Sequence, residues 1–518
     1  MSRTSCVVNN KVVQHVLTGN KGFQMKRLMV TLFVVVGFLD LSLLRAGEVK
    51  EAEKPLEIGD HRELFVDDYL IGSLKGEELR LHHPVDEGPV LKFDKPWEGL
   101  FCGYSTIIKD GDVYRAYYRG RPTAGADGDV GEVYCYAESK DGVNWTKPEF
   151  SLYEKQGHKK NNIILADAAP MTHNFSPFLD TRPDVPADEK YKALGGTMKS
   201  GLVAFTSPDG IHWKQHPAGS VIPTKMVPYK YMFDSQNVAF WSPVEKKYLS
   251  YFRVFKDKIR RIARSESDDF IHWSAPVLME YTTLDGEAPI EHLYTNQTHP
   301  YFRAPHIYLA IAARFMPGRQ VLTDAQAKEI GVHPRYFKDT SDAILMTTRG
   351  DDTYQRTFLS GYIAGGIGAQ NWVSRTNYPA LNVVQTGPAE MSVYVNQDYA
   401  QPTSHLRRYS LRLDGFASVR ADYAGGEMVT KPLVFDGSEL SINFSTSAAG
   451  GVKVEIQDEQ GQPIPGFTLA DCREQIGNEV DRVVSWKQGS DLKSLSGKPI
   501  RLKFVMKDAD LYSLQFQK

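Results

Sequence analysis

The sequence predicts an all-β protein, a five-bladed β-propeller followed by a β-sandwich. Three observations predict it: a turn motif recurs along the chain, alternating strands precede each copy, and the strand pattern changes near Asp422. The chain has 518 residues, too many for one small core, which favours two domains. We place a leader at residues 1–47, the propeller at residues 57–420 and the sandwich at residues 422–518.

The recurring motif is Ser-x-Asp-Gly-x-x-Trp, in which a strand ends in a tight turn that the Trp covers. Its copies are ESKDGVNW, TSPDGIHW, SESDDFIHW and a decayed TTRGDDTY, with aromatic residues at Trp145, Trp213, Trp273 and Tyr354. The copies recur every ~60 to 80 residues, which is long enough for blades of three or four strands.

Pairs of alternating strands precede the four copies, and a fifth pair, residues 389–416, lacks the motif. Five such units predict five blades. The segment from Thr323 to Gly331 is the one good helical candidate. The short strands after Asp422 predict a sandwich that either binds sugar or packs on the propeller, and we favour packing.

The N-terminal segment predicts a secretory signal peptide. Met25 to Arg27 precede an apolar run from Leu28 to Leu39 and a small-residue exit near Ala46-Gly47. The run is short and Asp40 is polar, which argues against a membrane span. We therefore expect a secreted or periplasmic protein with no membrane span after leader removal, and a retained N-terminal anchor is the alternative.

Composition excludes several classes of protein. With 61 Lys plus Arg and 63 Asp plus Glu, the net charge of -2 argues against a nucleic-acid partner. Cys6 would leave with the leader, and the other three cysteines form no CxxC or Cys/His cluster for zinc. Whether Cys102 and Cys135 pair stays open, as does the oligomeric state.

Four stretches carry a resemblance to a known family: ELFVDDYLI (residues 63–71), Pro96-Trp97-Glu98, Asn161-Asn162-Ile163 and ADLYSLQF (residues 509–516). Over residues 57–518 the chain resembles the five-bladed propeller glycosidases of the invertase and arabinanase type, and more narrowly their secreted relatives with a C-terminal sandwich. The resemblance implies a carbohydrate substrate. The invertase motifs Asn-Asp-Pro-Asn-Gly, Arg-Asp-Pro and Glu-Cys-Pro are absent, so no catalytic role is carried over.

The catalytic candidates follow from propeller topology, because polar residues just before the first strand of each blade should meet at the axis. A glycosidase needs one protonated and one ionised carboxyl. We prefer Asp234 and Glu291, with Glu98 and Glu390 in reserve. The aromatic run before Asp234 predicts a raised pKa for its carboxyl. Alternatively, Asp234 caps a loop and Glu291 is solvated.

The same topology predicts substrate-binding residues. Those that precede or begin first strands are Tyr104, His173, Asn174, Gln236, Asn237, Asn296 and His299. Arg119, Arg253 and Arg314 end second strands, and three guanidinium groups at a pocket suit an acidic or sulfated sugar. Alternatively, each Arg pairs with carboxylates of the protein. The residues Asp67 and Asp68 of ELFVDDYLI are expected in a closing strand or a rim turn.

We expect a glycoside hydrolase that acts on an extracellular poly- or oligosaccharide by a two-carboxylate mechanism. No cofactor is required, and the metal is undetermined, although His173, His299 and carboxylates could hold Ca²⁺. Alternatives are a non-catalytic glycan-binding propeller and a protein-interaction scaffold, because propellers host many functions.

Overall fold

A computed structural model of the protein describes residues 54–518, and these fold mostly as β-strands. Hydrogen bonds arrange the strands in five smaller sheets and one ten-stranded sheet. The prediction of an all-β chain is confirmed. The predicted leader and Cys6 lie outside the described residues. Within residues 54–518, no helix combines the length and the apolar character that a membrane span needs.

Five strands precede the smaller sheets: β1 (Leu56–Gly59), β2 (Arg62–Leu64), β3 (Ile71–Lys75), β4 (Glu77–Leu81) and β5 (Val85–Lys92). The first four belong to the ten-stranded sheet, together with strands from the end of the chain. ELFVDDYLI therefore does not close the ring of smaller sheets. It contributes to β2 and β3 and to the turn between them.

Four smaller sheets follow in chain order. The first contains β6 (Gly103–Asp110), β7 (Val113–Gly120), β8 (Val133–Ser139), β9 (Trp145–Thr146) and β10 (Ile163–Leu165). The second contains β11 (Ser176–Leu179), β12 (Tyr191–Thr197), β13 (Gly201–Ser207) and β14 (Lys214–Ile222). The third contains β15 (Val238–Ser242), β16 (Lys247–Lys256), β17 (Ile259–Ser267) and β18 (Val277–Leu278).

The fourth sheet contains β19 (Glu280–Thr283), β20 (Gly286–Glu287), β21 (Leu293–Thr295), β22 (Thr298–Tyr301), β23 (Ala304–Met316), β24 (Thr340–Thr348) and β25 (Thr353–Gln355). Helix α1 (Asp324–Glu329) lies between β23 and β24, inside the predicted helical segment. Thr323 caps the start of the helix: its side chain accepts a hydrogen bond from the backbone N–H of Gln326, and the Gln326 side chain accepts one from the backbone N–H of Thr323, which together form a capping box. Short 3₁₀ turns occur at Ala187–Glu189, Thr224–Met226 and Lys493–Leu495.

The fifth sheet contains β26 (Tyr378–Pro379), β27 (Val384–Gln385), β28 (Glu390–Gln397) and β29 (His405–Arg412), with β5 at its outer edge. The sequence prediction began this unit at residue 389, which is wrong: β26 and β27 precede β28 and pair with it. These two strands are only two residues long and carry no alternation that would identify them.

The smaller sheets form a closed, propeller-like ring. β6 contacts β11, β11 contacts β15, and β15 contacts β22. β26 contacts both β23 and β6, and Thr106 forms a parallel bridge with Leu381. Because β5 from the start of the chain pairs with β29 near its end, hydrogen bonds tie the two ends of the ring together.

The ten-stranded sheet is completed by β30 (Ala417–Ala421), β31 (Gly426–Thr430), β32 (Leu433–Phe435), β33 (Glu439–Asp458), β34 (Asn478–Val483) and β35 (Ile500–Gln517). The long β33 and β35 pair along most of their length and cover one apolar core that includes Trp486 and Phe504. The domain limits stay a prediction, as does the two-layered sandwich.

A buried carboxylate links the ten-stranded sheet to the ring. Asp414 has no exposed side-chain surface and accepts hydrogen bonds from Tyr301 Oη (2.7 Å), Ser513 Oγ (2.7 Å) and Asn443 Nδ2 (3.0 Å). Tyr301 belongs to the fourth sheet, whereas Ser513 and Asn443 belong to β35 and β33. The two parts of the chain therefore share a hydrogen-bonded core.

The repeated turn forms as predicted. In the second sheet, Ser207 Oγ accepts the N–H of Gly210, and Asp209 accepts those of Ile211 and His212. The indole of Trp213 then donates to the carbonyl of Gly210 at 3.1 Å. The copy that ends in Trp145 makes the same contacts. The copy that ends in Trp273 repeats the contacts of the aspartate, here Asp269, and its indole donates to the carbonyl of Phe270, which replaces the glycine.

The described cysteines, Cys102, Cys135 and Cys472, are buried free thiols. Cys102 and Cys135 lie in one apolar cluster but form no disulfide.

Candidate active site

Polar side chains from several sheets meet at one end of the ring. We call this group the axial cluster; its members are Tyr104, Arg119, Asp127, Glu132, His173, Asn174, Asp234, Arg253, Arg260, Tyr294, Arg375 and Tyr399. They lie before the first strands, at the ends of second strands, and in the loops beside them. The predicted residues Tyr104, Arg119, His173, Asn174, Asp234 and Arg253 are therefore brought together.

Arg119 connects three sheets. Its guanidinium lies 4.6 Å from the ring centroid of Tyr104 in the first sheet. It donates to Asn174 Oδ1 before the second sheet at 3.5 Å, and to the hydroxyl of Tyr399 beside the fifth at 3.3 Å. Only 3% of Arg119 is exposed. This arginine thus fixes the relative positions of neighbouring first strands.

His173 is held by a buried carboxylate. Asn174 Nδ2 donates to His173 Nε2 at 2.9 Å, which leaves Nδ1–H to donate to Glu132 at 2.9 Å. His173 Nε2 also lies 4.0 Å from Asp234 Oδ1. Burial would raise the pKa of Glu132, but the hydrogen bond from His173 and the nearby arginines outweigh it and lower that pKa. Glu132 therefore stays ionised and orients the imidazole.

Two carboxyls of the axial cluster, the exposed Asp127 and the half-buried Asp234, have pKa values shifted in opposite directions. Lost hydration around the Asp127 carboxyl, and then the negative charge of Asp234, raise the pKa of Asp127. Burial would also raise the pKa of Asp234, but the positive charge of Arg253 is the largest opposing influence, and that pKa is lowered to about 2. Arg253 Nη2 donates to Asp234 Oδ2 at 2.6 Å. The aromatic run thus does not raise the pKa of Asp234, because the guanidinium dominates.

The members of the cluster that sequence reasoning missed are Asp127, Glu132, Arg260, Arg375 and Tyr399. Asp127 and Glu132 lie in the loop between β7 and β8, directly after Arg119. Arg119 was assigned to the pocket side, so the acidic residues after it could have been found by the same topological argument. Arg375 just precedes β26, the strand that the sequence did not reveal.

Glu291 and Arg314 form a separate ion-pair group. Glu291 pairs with Arg356 at 2.8 Å and with Arg314 at 3.3 Å, and Arg314 also pairs with Asp342 at 2.6 Å. Arg356 is only 1% exposed, so Glu291 balances a buried charge. Within residues 54–518 no ion pair or hydrogen bond joins Glu291 to Asp234, and the pairing of these two carboxyls stays a prediction.

Glu98 contacts the face of the first sheet that is opposite to the face carrying Arg119. It accepts from the hydroxyl of Tyr118 at 2.7 Å and from Lys147 at 2.7 Å, with no exposed side-chain surface. Tyr118 and Arg119 are consecutive on β7, so their side chains point to opposite faces. The burial and the partners of Glu98 argue against the reserve catalytic role that the sequence suggested for it.

Glu390 lies at the end of its strand that is farther from the axial cluster. It begins β28, pairs with Arg408 at 2.9 Å, and accepts from Thr386 at 2.8 Å. Asn396, at the other end of β28, lines a small cavity with Tyr104 and Arg375. Six residues of strand separate Glu390 from that cavity by ~20 Å, which removes it from the catalytic candidates.

The other predicted binding residues hydrogen-bond within the protein. Gln236 donates to Thr106 Oγ1 at 2.8 Å, and Gln297 donates to Gln236 Oε1 at 2.7 Å, so amides join neighbouring first strands. The two predicted asparagines hydrogen-bond the backbone. Asn237 donates to the carbonyl of Phe233, and Asn296 donates to the carbonyl of Tyr251 and accepts from the N–H of Thr298. These contacts favour structural roles, and substrate binding by these residues stays a prediction.

His299 is apart from His173. Its Nδ1 bonds the carbonyl of Gln297 at 2.8 Å, and its Nε2 accepts from the N–H of Val383 at 3.1 Å. Burial lowers the pKa of His299 to about 4. Because both ring nitrogens bond backbone groups, His299 is not free to bind the metal considered from the sequence.

A divalent cation would find three suitable groups in the axial cluster. Asp127, His173 and Asp234 each offer one ligand atom, and the three atoms lie within 4.8 Å of one another. The Glu132–His173 hydrogen bond is the kind of support that metal-binding imidazoles have. Hard oxygen ligands suit Ca²⁺ or Mg²⁺, whereas the imidazole suits transition metals. The Arg253–Asp234 ion pair competes with a cation for one carboxylate oxygen.

Comparison with known proteins gives a likeness of fold at low identity. No protein-family model matches the chain, and no curated protein matches it. A solved structure described as a glycoside hydrolase is 10% identical, with 64% of this chain and 92% of that chain covered and a TM-score of 0.42.

Two further solved structures are enzymes that act on sugars. An α-L-arabinofuranosidase from Podospora anserina in complex with cellotriose is 11% identical, with 64% and 96% of the two chains covered and a TM-score of 0.39. An N-acetylgalactosamine deacetylase from F. plautii, bound to blood group B trisaccharide, is 12% identical, with 64% and 95% covered and a TM-score of 0.41. All three TM-scores are below 0.5, so the activity of this chain has to be argued from its own residues.

Proposed function

We propose that the chain is a secreted glycoside hydrolase that cleaves an extracellular oligo- or polysaccharide. In this proposal each of the five smaller sheets is a propeller blade, and the axial cluster is the active site. The observation that carries it is the pair Asp127 and Asp234, whose carboxylates each offer an oxygen within 4.8 Å of the other. Desolvation and Asp234 raise the pKa of Asp127, whereas Arg253 lowers the pKa of Asp234, and these are the directions that a proton donor and an ionised partner need in glycoside cleavage.

Asp127 would act as the general acid and Asp234 as the ionised carboxylate. Asp127 gives its proton to the leaving glycosidic oxygen as the bond to the anomeric carbon breaks, and Asp234 attacks that carbon. Water then hydrolyses the glycosyl ester while Asp127 takes the water proton. One oxygen of each carboxyl lies within 4.8 Å of the other. This supports retention, for which the carboxyls are ~5–5.5 Å apart, over inversion at ~6.5–9.5 Å.

Product release from a panel of neutral, uronic-acid and sulfated glycans tests the proposal. Asp127→Asn and Asp234→Asn should each lower kcat by ~10²–10⁴-fold. The first variant removes the proposed proton donor, and the second removes the proposed ionised carboxylate. Glu390→Gln is the matched control, since it changes a carboxyl at the far end of β28. Activity that survives both Asn variants discards these residues. Glycan binding without release would favour the glycan-binding alternative, and neither binding nor release would favour the scaffold.

A second candidate is cation-assisted hydrolysis at the same cluster. It is favoured by the ligand geometry of Asp127, His173 and Asp234 and by the support that Glu132 gives His173. When bound, a cation supplies a Lewis acid that polarises an oxygen of substrate or water. The chelator EDTA separates the two candidates: activity lost with EDTA and restored by Mg²⁺, Ca²⁺ or Mn²⁺ supports the second, and unchanged activity supports the carboxyl pair.

A further inference from the structure

Three arginines surround one buried tyrosine of the axial cluster. The guanidinium carbons of Arg253, Arg260 and Arg375 lie 4.9 Å, 4.8 Å and 5.5 Å from the ring centroid of Tyr294. They come from the third sheet and from the segment before the fifth, and Tyr294 is only 1% exposed. Three positive charges are thus gathered on a small surface beside Asp234.

Only one of these charges is balanced by a carboxylate. Arg253 pairs with Asp234, but within residues 54–518 no carboxylate oxygen lies within 4.0 Å of Arg260 or Arg375. Among the described residues, Arg260 Nη1 hydrogen-bonds His292 Nδ1 at 3.3 Å, and its guanidinium lies over the rings of Phe255, Tyr294 and Phe315. The guanidinium of Arg375 lies over the rings of Tyr294 and Tyr336. Partly buried cations without a counter-charge are costly, so this arrangement needs a reason.

Buried donors in the same place also lack partners. Arg253 is 1% exposed, yet its Nε and Nη1 make no hydrogen bond, and the buried Nε of Arg260 makes none either. Buried polar groups are almost always hydrogen-bonded, and exceptions call for a missing partner. A hydrogen-bond acceptor from substrate or water would complete these donors, and a negatively charged acceptor would also offset the charges of Arg260 and Arg375. The pKa of Arg260 is lowered by burial and by Arg253, in keeping with an excess of positive charge.

We propose that Arg253, Arg260 and Arg375 bind an oxyanion group of the sugar, either a uronic-acid carboxylate or a sulfate ester. Guanidinium groups match the planar carboxylate and the sulfate oxygens with paired N–H donors. Because Arg253 also holds Asp234, the sugar that carries the anion lies at the catalytic pair. The inference rests on the proposed function for this placement, but binding of an anionic sugar can be measured without any cleavage.

The test is equilibrium binding of D-glucuronic acid and glucose 6-sulfate, with glucose as the uncharged counterpart. At least one anionic sugar should bind ten-fold or more tightly than glucose, and added salt should weaken that preference. Arg260→Gln and Arg375→Gln should each remove most of the preference, and Arg375→Lys should retain part of it. Arg80→Gln, an exposed arginine on β4, is the matched control. Circular dichroism confirms that each variant is folded.

The outcomes are distinct. Equal binding of glucose and both anionic sugars, no binding of any, or a preference that both Gln variants keep would overturn the inference. Which anion binds tells a uronic acid from a sulfate ester. An arginine-dependent preference without any glycan cleavage leaves the inference standing and ends the proposed hydrolase. Cleavage of neutral glycans that requires Asp127 and Asp234, with no preference for anionic sugars, would overturn the inference and support the proposed hydrolase.

Discussion

Replacing Arg253 by Met should move the acid limb of the pH–rate profile upward. Arg253 Nη2 donates to Asp234 at 2.6 Å, and its charge is the largest influence that lowers the pKa of Asp234 to about 2. Asp234 must be ionised to act, and its pKa is depressed, so activity is lost as pH falls through that pKa. Without the guanidinium, burial remains as the largest influence and the pKa should rise toward its ordinary value of 3.8.

The size of the effect follows from these two pKa values. At pH 3 a carboxyl with a pKa of about 2 is about 90% ionised, whereas one with a pKa of 3.8 is about 15% ionised. The value of kcat/KM at pH 3, relative to its plateau, should therefore drop about six-fold more in the variant. Because the Asp234 side chain is 37% exposed, water screens part of the change, and we expect a shift of at least about one pH unit.

The assay is kcat/KM between pH 2.5 and 8 on a glycan that the protein cleaves. Brief exposure to each low pH followed by assay at pH 5.5 corrects for unfolding. Arg253→Lys is the matched control, since it keeps a positive charge and should keep the acid limb near its original position. The reasoning is refuted if the Met variant has the acid limb of the wild type while its plateau remains measurable.

Three further predictions concern stability and chemistry away from the axial cluster. Glu98→Gln should leave kcat within about three-fold, yet lower the free energy of unfolding by about 1–3 kcal/mol by weakening buried bonds; urea unfolding and a kinetic assay check both halves. Asp414→Ala should cost about 3–5 kcal/mol in urea unfolding, because Arg62, 4% exposed, loses a buried counter-charge, and a loss below 1 kcal/mol contradicts this. Cys102 and Cys135 should not react with Ellman's reagent until the protein unfolds, since burial raises both thiol pKa values; reaction in the native state would contradict their burial.

Strand and turn structure could be predicted because the signals are local. The Asp-Gly turns, for example, need only Ser207, Asp209 and Trp213, which lie within one short stretch. Helix α1 was found for the same reason, since Thr323 and Gln326 cap it three residues apart. The start of the fifth sheet was missed because β26 and β27 are too short to show a period of two.

The candidate site could be predicted only in part. Topology identified His173, Asn174 and Asp234, because each directly precedes a recognisable first strand. It failed for Glu98, whose side chain points to the far face of its sheet, and for Glu291, which a buried arginine neutralises. Asp127 was missed because the topological argument was applied to strand ends and not to the loop after Arg119, and only folding brings its carboxyl beside Asp234.

By itself the sequence determined the all-β class, the recurring unit and the set of polar residues near the first strands. These depend on side-chain alternation and turn chemistry within a few residues of one another. Only the tertiary structure decided which carboxyls lie close together, in which direction the pKa of each is shifted, and which arginines lack a carboxylate partner among the described residues. The physical reason is that pKa values and ion pairing depend on distances of a few ångströms between side chains more than a hundred residues apart, such as Asp127 and Asp234.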